Sequence, residues 1–202
     1  MKVLRILKKK KKLQNSDLVQ KVFILGIGNP KDKYNNTRHN VGKDWIEKIA
    51  RDHNCSLVKK AKLKCSICEI NPNIFLVVPD VYVNETGKVA ALLKRYLNAK
   101  AEQILVLHDD IDTQIGFAKF KSGGGDGGHN GLKDLSNAIG KDFKRLKIGV
   151  SHPGTKDDVT NWVLGKFNPD EMLILEDLYN KIFIHQEKIF NLEIENLQNL
   201  VN

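Results

Sequence analysis

Short apolar runs alternate with stretches of helical spacing along most of this chain, and that alternation narrows the choice of folds more than any other feature. Val22, Phe23, Ile24 and Leu25 form a run closed by Gly26. A second covers 74–78 and ends at Pro79, and a third, 104–107, leads into Asp109, Asp110 and Asp112. Four or five consecutive apolar residues bounded by turn formers read as strands buried on both faces. Between them Val41, Trp45, Ile46, Ile49 and Ala50 recur at helical spacing, as do Val89, Ala90, Leu92, Leu93, Tyr96 and Leu97. Residues 117–121 read as a strand, Leu132, Leu135 and Ile139 as a short helix, and Leu146, Ile148 and Val150 as a strand. The chain from Asp170 reads as helical, with Leu175, Leu178, Ile182 and Ile189 on one side. Strands alternating with helices predict a single α/β domain with helices on both faces of a sheet. In such folds functional groups collect at the carboxyl ends of strands, which singles out the loops after Leu25, Val78 and Leu107.

Composition sets the outer limits. With 202 residues, 41% of them hydrophobic, the chain can bury one ordinary core. No run approaches eighteen apolar residues, so no membrane-spanning helix is expected. Cys55, Cys65 and Cys68 are an odd set in a chain too long to need a disulfide framework, and they are read as free thiols of a reducing compartment. The net charge of +9 is unevenly spread: residues 1–20 carry +6, residues 21–160 carry +7 and residues 161–202 carry −4. A basic body with a basic tail suggests a polyanionic partner, nucleic acid before membrane. Residues 1–20, with five consecutive lysines from Lys8 to Lys12, are read as a basic, disordered extension, and residues 21–202 as the folded domain. The extension lacks the charge order and cleavage site of a secretory signal, and arginine and serine are scarce for a transit peptide.

Several familiar chemistries fail on spacing. The loop Gly26-Ile-Gly-Asn-Pro30 places Lys31 where a dinucleotide fingerprint needs its third glycine, and no acidic ribose contact follows at a strand end. Gly42-Lys43 is followed by Asp44, so no phosphate-binding P-loop is present. None of the serines lies in a nucleophile elbow, and no H-E-x-x-H zinc motif occurs. Cys65-x-x-Cys68 is a lone pair without a second pair at zinc spacing; both are read as packing residues of a strand near 63–70.

What remains is more specific. His39, in the polar segment Thr37-Arg38-His39-Asn40, is of the type that titrates near neutrality and serves as a general base. Residues 108–112, His-Asp-Asp-Ile-Asp, offer carboxylates at a strand end, suited to hold a histidine in one tautomer, to bind a divalent cation, or to form a plain acidic turn. Between Ser122 and Gly131 six glycines fall within ten residues, which implies positive φ or close backbone approach. Backbone amides ahead of a helix starting near Leu132 are expected to form an anion site.

Together these segments resemble bacterial-type peptidyl-tRNA hydrolases. The resemblance rests on Gly26-Ile-Gly-Asn-Pro30, Tyr34-Asn-Asn-Thr-Arg-His-Asn-Val-Gly42, His108-Asp-Asp-Ile-Asp112 and Lys119-Phe-Lys-Ser-Gly-Gly-Gly-Asp-Gly-Gly-His-Asn-Gly-Leu-Lys133, continued by residues 143–154. It implies one domain with a mixed twisted sheet, and a monomeric cytoplasmic enzyme without cofactor or metal. Such an enzyme cleaves the ester between a peptide and the 3′ end of tRNA. In that reading His39 is the base that activates water, Asp109 orients it, and Asn29 separates N-blocked from free aminoacyl-tRNA. Tyr34, Tyr82, Asn84 and Asn130 contact the peptide and 3′-terminal nucleotide, and Lys119, Lys121, Lys133 and Lys147 hold phosphates. The sequence departs from the family at Lys31, where glycine is usual, and at Asp80 and Val83, where threonine and methionine are usual. The alternative is a non-catalytic RNA-binding protein of the same fold.

Overall fold

The computed structural model describes residues 20–155, 157–195 and 197. The tail expectation falls almost wholly on residues 1–19, outside the described set. Seven strands form one sheet in the order β2-β3-β4-β1-β5-β7-β6. They are β1 (Val22–Gly26), β2 (Val58–Lys60), β3 (Cys65–Asn71), β4 (Ile74–Pro79), β5 (Ile104–Asp110), β6 (Ala118–Ser122) and β7 (Lys144–Gly149). The four central strands β4, β1, β5 and β7 are mutually parallel, whereas β2, β3 and β6 pair antiparallel at the edges. The sheet is therefore mixed, and the carboxyl ends of its parallel strands open on one side.

Strand pleating divides the core into two layers. In β1, Val22 and Ile24 point to one face, where they meet Trp45, Ile46 and Ile49 of α1 (Val41–Asp52) and Leu175, Leu178 and Ile182 of α5 (Pro169–Phe183). Phe23 and Leu25 point to the other, against Val89 and Leu93 of α2 (Thr86–Leu97) and Leu132 and Leu135 of α3 (Asn130–Ile139). Both faces are covered, which is why these strands read as continuous apolar runs.

Three details differ from the sequence expectation. The strand expected near 63–70 starts only at Cys65, because Ala61–Leu63 is a 3-10 turn and Lys64 takes φ 53°. The C-terminal helix is two: α5 stops at Phe183, and Ile189 lies on α6 (Gln186–Phe190), so its apolar side is assembled from two pieces. β2 and the short α4 (Val159–Leu164) lie outside the expected elements: β2 is fully exposed, and α4, though Val159, Trp162 and Val163 stand at helical spacing, has no buried residue. Cys55, Cys65 and Cys68 are free, with Cys65 and Cys68 buried in opposite layers.

Two glycines set how closely α1 approaches the sheet. A Cβ on Gly26 would lie 2.3 Å from the Gly42 carbonyl oxygen, and one on Gly42 would lie 2.1 Å from the Leu107 carbonyl oxygen. That contact draws the start of α1 onto the end of β5. Gly42→Ala forces backbone apart and is expected to cost about 1–3 kcal/mol. Gly125→Ala, with open space around the added methyl, should stay within about 0.5 kcal/mol. Urea unfolding of the two variants checks this; equal midpoints would refute the close-approach argument.

Candidate active site

At the open side of the parallel strands lies a cavity of about 870 Å³. Asn29 follows β1, Val83 and Asn84 follow β4, His108 to Asp112 end and follow β5, and His152 follows β7; all line it. The glycine-rich segment and α4, the latter through Val159, Thr160, Val163 and Leu164, also line it.

His39 sits in the 3-10 turn Arg38–Asn40, which runs directly into α1. Its Nδ1 lies 2.9 and 3.0 Å from the two carboxylate oxygens of Asp109, at the end of β5. A second imidazole meets the same carboxylate: His129 Nε2 is 3.1 Å from Asp109 Oδ1. His129 caps α3, where its Nδ1 accepts the N–H groups of Gly131 (3.1 Å) and Leu132 (3.3 Å). An imidazole nitrogen that accepts carries no proton, so the proton of neutral His129 is on Nε2 and is donated to Asp109. By the same logic His39 donates from Nδ1 and keeps the Nε2 lone pair for the cavity.

The charges follow from this geometry. Burial alone would raise the Asp109 carboxyl, yet His39 and His129 outweigh it and hold the group well below the usual carboxylate range. Burial likewise opposes a charge on His39, but the Asp109 carboxylate overcomes it and lifts the imidazole above its ordinary 6.5. His108 behaves oppositely. Fully buried, and beside His129 at 5.2 Å between ring centroids, it is pushed down to about 3 and stays neutral. Its Nδ1 donates to the Asp109 carbonyl at 2.7 Å.

Asn29 is held on three sides. Its N–H donates to Asn40 Oδ1 (2.8 Å), its carbonyl accepts from Asn40 Nδ2 (3.1 Å), and its Oδ1 accepts from the Val83 N–H (3.2 Å). Nδ2 is then the group left to donate into the cavity. Asn84 and Asn130 also line the cavity, as do Lys121 and Lys147. Lys119 lies across from Lys147 on the neighbouring strand, outside the cavity lining, and Lys133 is exposed on α3. Tyr34 and Tyr82 meet edge to face at 6.5 Å outside the cavity lining, with Lys31 over the Tyr82 ring and Lys33 over Tyr34. Asp80 is paired with Lys59 at 3.0 Å.

One sequence expectation needs correction. The amides at the start of α3 are not an open anion site, because the His129 ring takes those of Gly131 and Leu132. Of the alternatives left open for the acids of 108–112, the geometry favours the one that holds a histidine: Asp109 meets two imidazoles, Asp110 meets Lys147 and Thr113, and Asp112 is exposed. Among the described residues, the one group of donors within metal-ligand distance is instead His39, Asp109 and His129. The positive φ expected of the glycine segment is present at Gly123, Gly124, Gly127 and Gly128. Sequence reasoning did not single out His129, Asn40 or Arg145. Arg145 donates to the Gly124 and Gly125 carbonyls from inside the fold. Each lies within a quoted motif, but nothing local announces its partner.

A histidine held by a buried carboxylate, with asparagine amides and two lysines lining the same cavity, is the kind of polar site that hydrolases of anionic substrates use. Comparison with known proteins gives the family. Residues 23–202 match the family described as Peptidyl-tRNA hydrolase. The chain is 42% identical over 178 residues to the peptidyl-tRNA hydrolase of Rickettsia bellii (strain RML369-C), which covers 87% of this chain and 94% of that protein. It is 40% identical over 174 residues to that of Shewanella sediminis, covering 84% and 90%. The crystal structure of peptidyl-tRNA hydrolase from Acinetobacter baumannii superimposes with a TM-score of 0.86 at 31% identity, over 93% of this chain and 97% of that one. The protein belongs to the peptidyl-tRNA hydrolase family.

The paired shifts make opposite demands on pH. The raised His39 contributes stability fully present below 6.5 and lost as pH rises through its folded value; the lowered Asp109 contributes stability present above its unfolded range and lost as pH falls through its folded value. A base must be neutral to act, so kcat/KM should rise with pH along a limb centred above 6.5. Asp109→Asn leaves only burial acting on His39 and should move its titration below 6.5, with a fall in kcat. NMR titration of the His39 ring, alongside the rate profile, tests this; an unmoved titration would dissociate the pair. His129→Ala removes one charge-assisted hydrogen bond of about 1.5–3 kcal/mol and should lower kcat by up to that equivalent.

Proposed function

We propose that this protein hydrolyses the ester joining a peptide to the 3′ end of tRNA, with His39 as general base and Asp109 as the group that orients it. The single observation that carries the assignment is the His39–Asp109 contact at 2.9 Å inside the cavity. Water held at His39 Nε2 gives up a proton as its oxygen adds to the ester carbonyl. The imidazolium, stabilised by Asp109, then returns that proton to the departing 3′-hydroxyl. An ester is activated enough for one positioned base, worth about 10²–10⁴-fold, to suffice without a covalent nucleophile. The free amide donors of Asn29, Asn84 and Asn130 suit both the developing oxyanion and the peptide groups of an N-blocked substrate. Tyr34 and Tyr82, the latter next in sequence to the cavity-lining Val83, extend the peptide-reading end in this reading. Lys121 and Lys147 mark the phosphate end, continued outside the cavity by Lys119 and, on α3, Lys133.

No described helix is long and apolar enough to cross a membrane. A monomeric enzyme acting in the cytoplasm on released peptidyl-tRNA, without metal or cofactor, is the accompanying proposal, as is a basic extension at residues 1–20 that adds sequence-independent contacts to RNA.

Incubation with N-acetylated aminoacyl-tRNA should liberate free tRNA. His39→Ala should slow turnover on the order of 10²-fold or more while tRNA binding persists. A wild-type protein that binds tRNA and releases none would establish the RNA-binding alternative. Replacing Lys121 and Lys147 together should weaken binding to all tRNAs alike and lower the slope of log K against log[salt] by roughly two. Binding isotherms across a salt series measure this, and an unchanged slope would remove both lysines from the phosphate contacts.

A further inference from the structure

Arg38 precedes the catalytic histidine but points away from it. Its side chain is 8% exposed and carries a cation into an otherwise apolar corner. The guanidinium stacks 3.8 Å from the Trp162 ring and lies 5.2 Å from that of Phe167. Nη1 donates to the Lys166 carbonyl at 3.0 Å, and Nη2 is held by both oxygens of Glu171 at 2.8 and 2.9 Å. A desolvated cation stacked on an aromatic ring and paired with a carboxylate is far stronger than a surface pair.

Both ends of this connection are themselves fixed. Glu171 closes the capping box of α5, accepting the Asn168 N–H at 2.8 Å while its own N–H donates to Asn168 Oδ1. Trp162 Nε1 donates to the carbonyls of Val150 (3.2 Å) and Ser151 (2.8 Å), just beyond β7. The backbone joins the same segments: Arg38 N–H to the Gly165 carbonyl (3.0 Å), Phe167 N–H to the Asn36 carbonyl (3.1 Å), and a bridge between Thr37 and Lys166. Trp162 belongs to α4, whose Val159, Thr160, Val163 and Leu164 line the same cavity as His39. α4 has only six residues and none of them is buried, so its own packing does not hold it there.

We propose that Arg38 is a positioning residue: through Trp162 and Glu171 it holds the α4 wall at a set distance from the His39 loop, and the wall so placed grips the 3′ end of the RNA substrate. Identifying the gripped group as RNA rests on the proposed function. His39 itself keeps its orientation from Asp109, so loosening Arg38 should loosen binding rather than chemistry.

The test uses Arg38→Lys, which keeps the charge without the planar stack, and Glu171→Gln, which lies outside the cavity and keeps a capping oxygen. Each should raise KM for N-acetylated aminoacyl-tRNA about fivefold, the equivalent of roughly 1 kcal/mol. Each should leave kcat within about twofold and the acid limb of the pH profile in place. The double variant should be no worse than the weaker single one, because both cut the same connection. A short RNA ending in the tRNA 3′ sequence provides a readout independent of hydrolysis, and its Kd should weaken by the same factor. A lower melting temperature with KM and Kd unchanged would show that Arg38 only stabilises the fold and would overturn the proposal. So would a fall in kcat with a displaced acid limb, which would place Arg38's effect on His39. If wild type binds the RNA but hydrolyses nothing, the proposed activity fails while the Kd comparison still decides the role of Arg38.

Discussion

A buried carboxylate bonded to two imidazoles is the interaction around which the cavity is built. Asp109 is 4% exposed at the end of β5, and an isolated carboxylate there would take up a proton. His39 and His129 each supply a donor, and they reach it from opposite sides of the sheet: one at the start of α1, the other at the start of α3. His129 can serve because the first amides of α3 fix its other nitrogen as an acceptor. The tautomer of the second histidine, the charge of the aspartate and the basic nitrogen of the first histidine thus form one chain of consequences starting at a helix cap.

Close backbone packing makes that arrangement possible. Gly26, Gly42 and the Leu107 carbonyl are stacked so tightly that no side chain fits between β1, α1 and β5. The turn carrying His39 is therefore brought to the carboxyl end of β5, and Asn40 from the same turn reaches back to fix Asn29 after β1. His39 and Asn40, adjacent in that turn, reach Asp109 and Asn29 respectively, so both contacts depend on one placement of the turn, which backbone contact sets. A site built this way loses little to reorganisation when a substrate arrives.

Legibility in the sequence followed the reach of each interaction. β1, β4 and β5 were readable as continuous apolar runs because both of their faces are covered, β7 by alternation, and α1, α2 and α3 because each buries one stripe. β2 and α4 were not legible in this way, since each is too short for a repeating pattern and none of their residues is buried. Of the residues named in advance, His39, Asp109, Asn29, Asn84 and Asn130 converge on the cavity, as do Lys121 and Lys147. Lys119 and Lys133 carry the same charge and lie outside it, a distinction set by position along a strand or around a helix rather than by residue type. The acids at the end of β5 looked like a cluster because they are close in sequence, and the strand end sends them to different partners.

The chain by itself determined the core strands and the helices that pack on them, where the loops at the strand ends fall, and which histidine, aspartate and asparagines stand in the family's motifs. Those properties depend on neighbours a few residues away, through periodicity, turn formers and motif spacing. The tertiary structure alone decided that His129 lies against Asp109, that Arg145 holds the glycine segment, and that Arg38 reaches Glu171. These partners are 20, 20 to 21 and 133 residues apart in sequence. No local pattern records such a distance, because it is set by how the layers pack and not by the residues that meet.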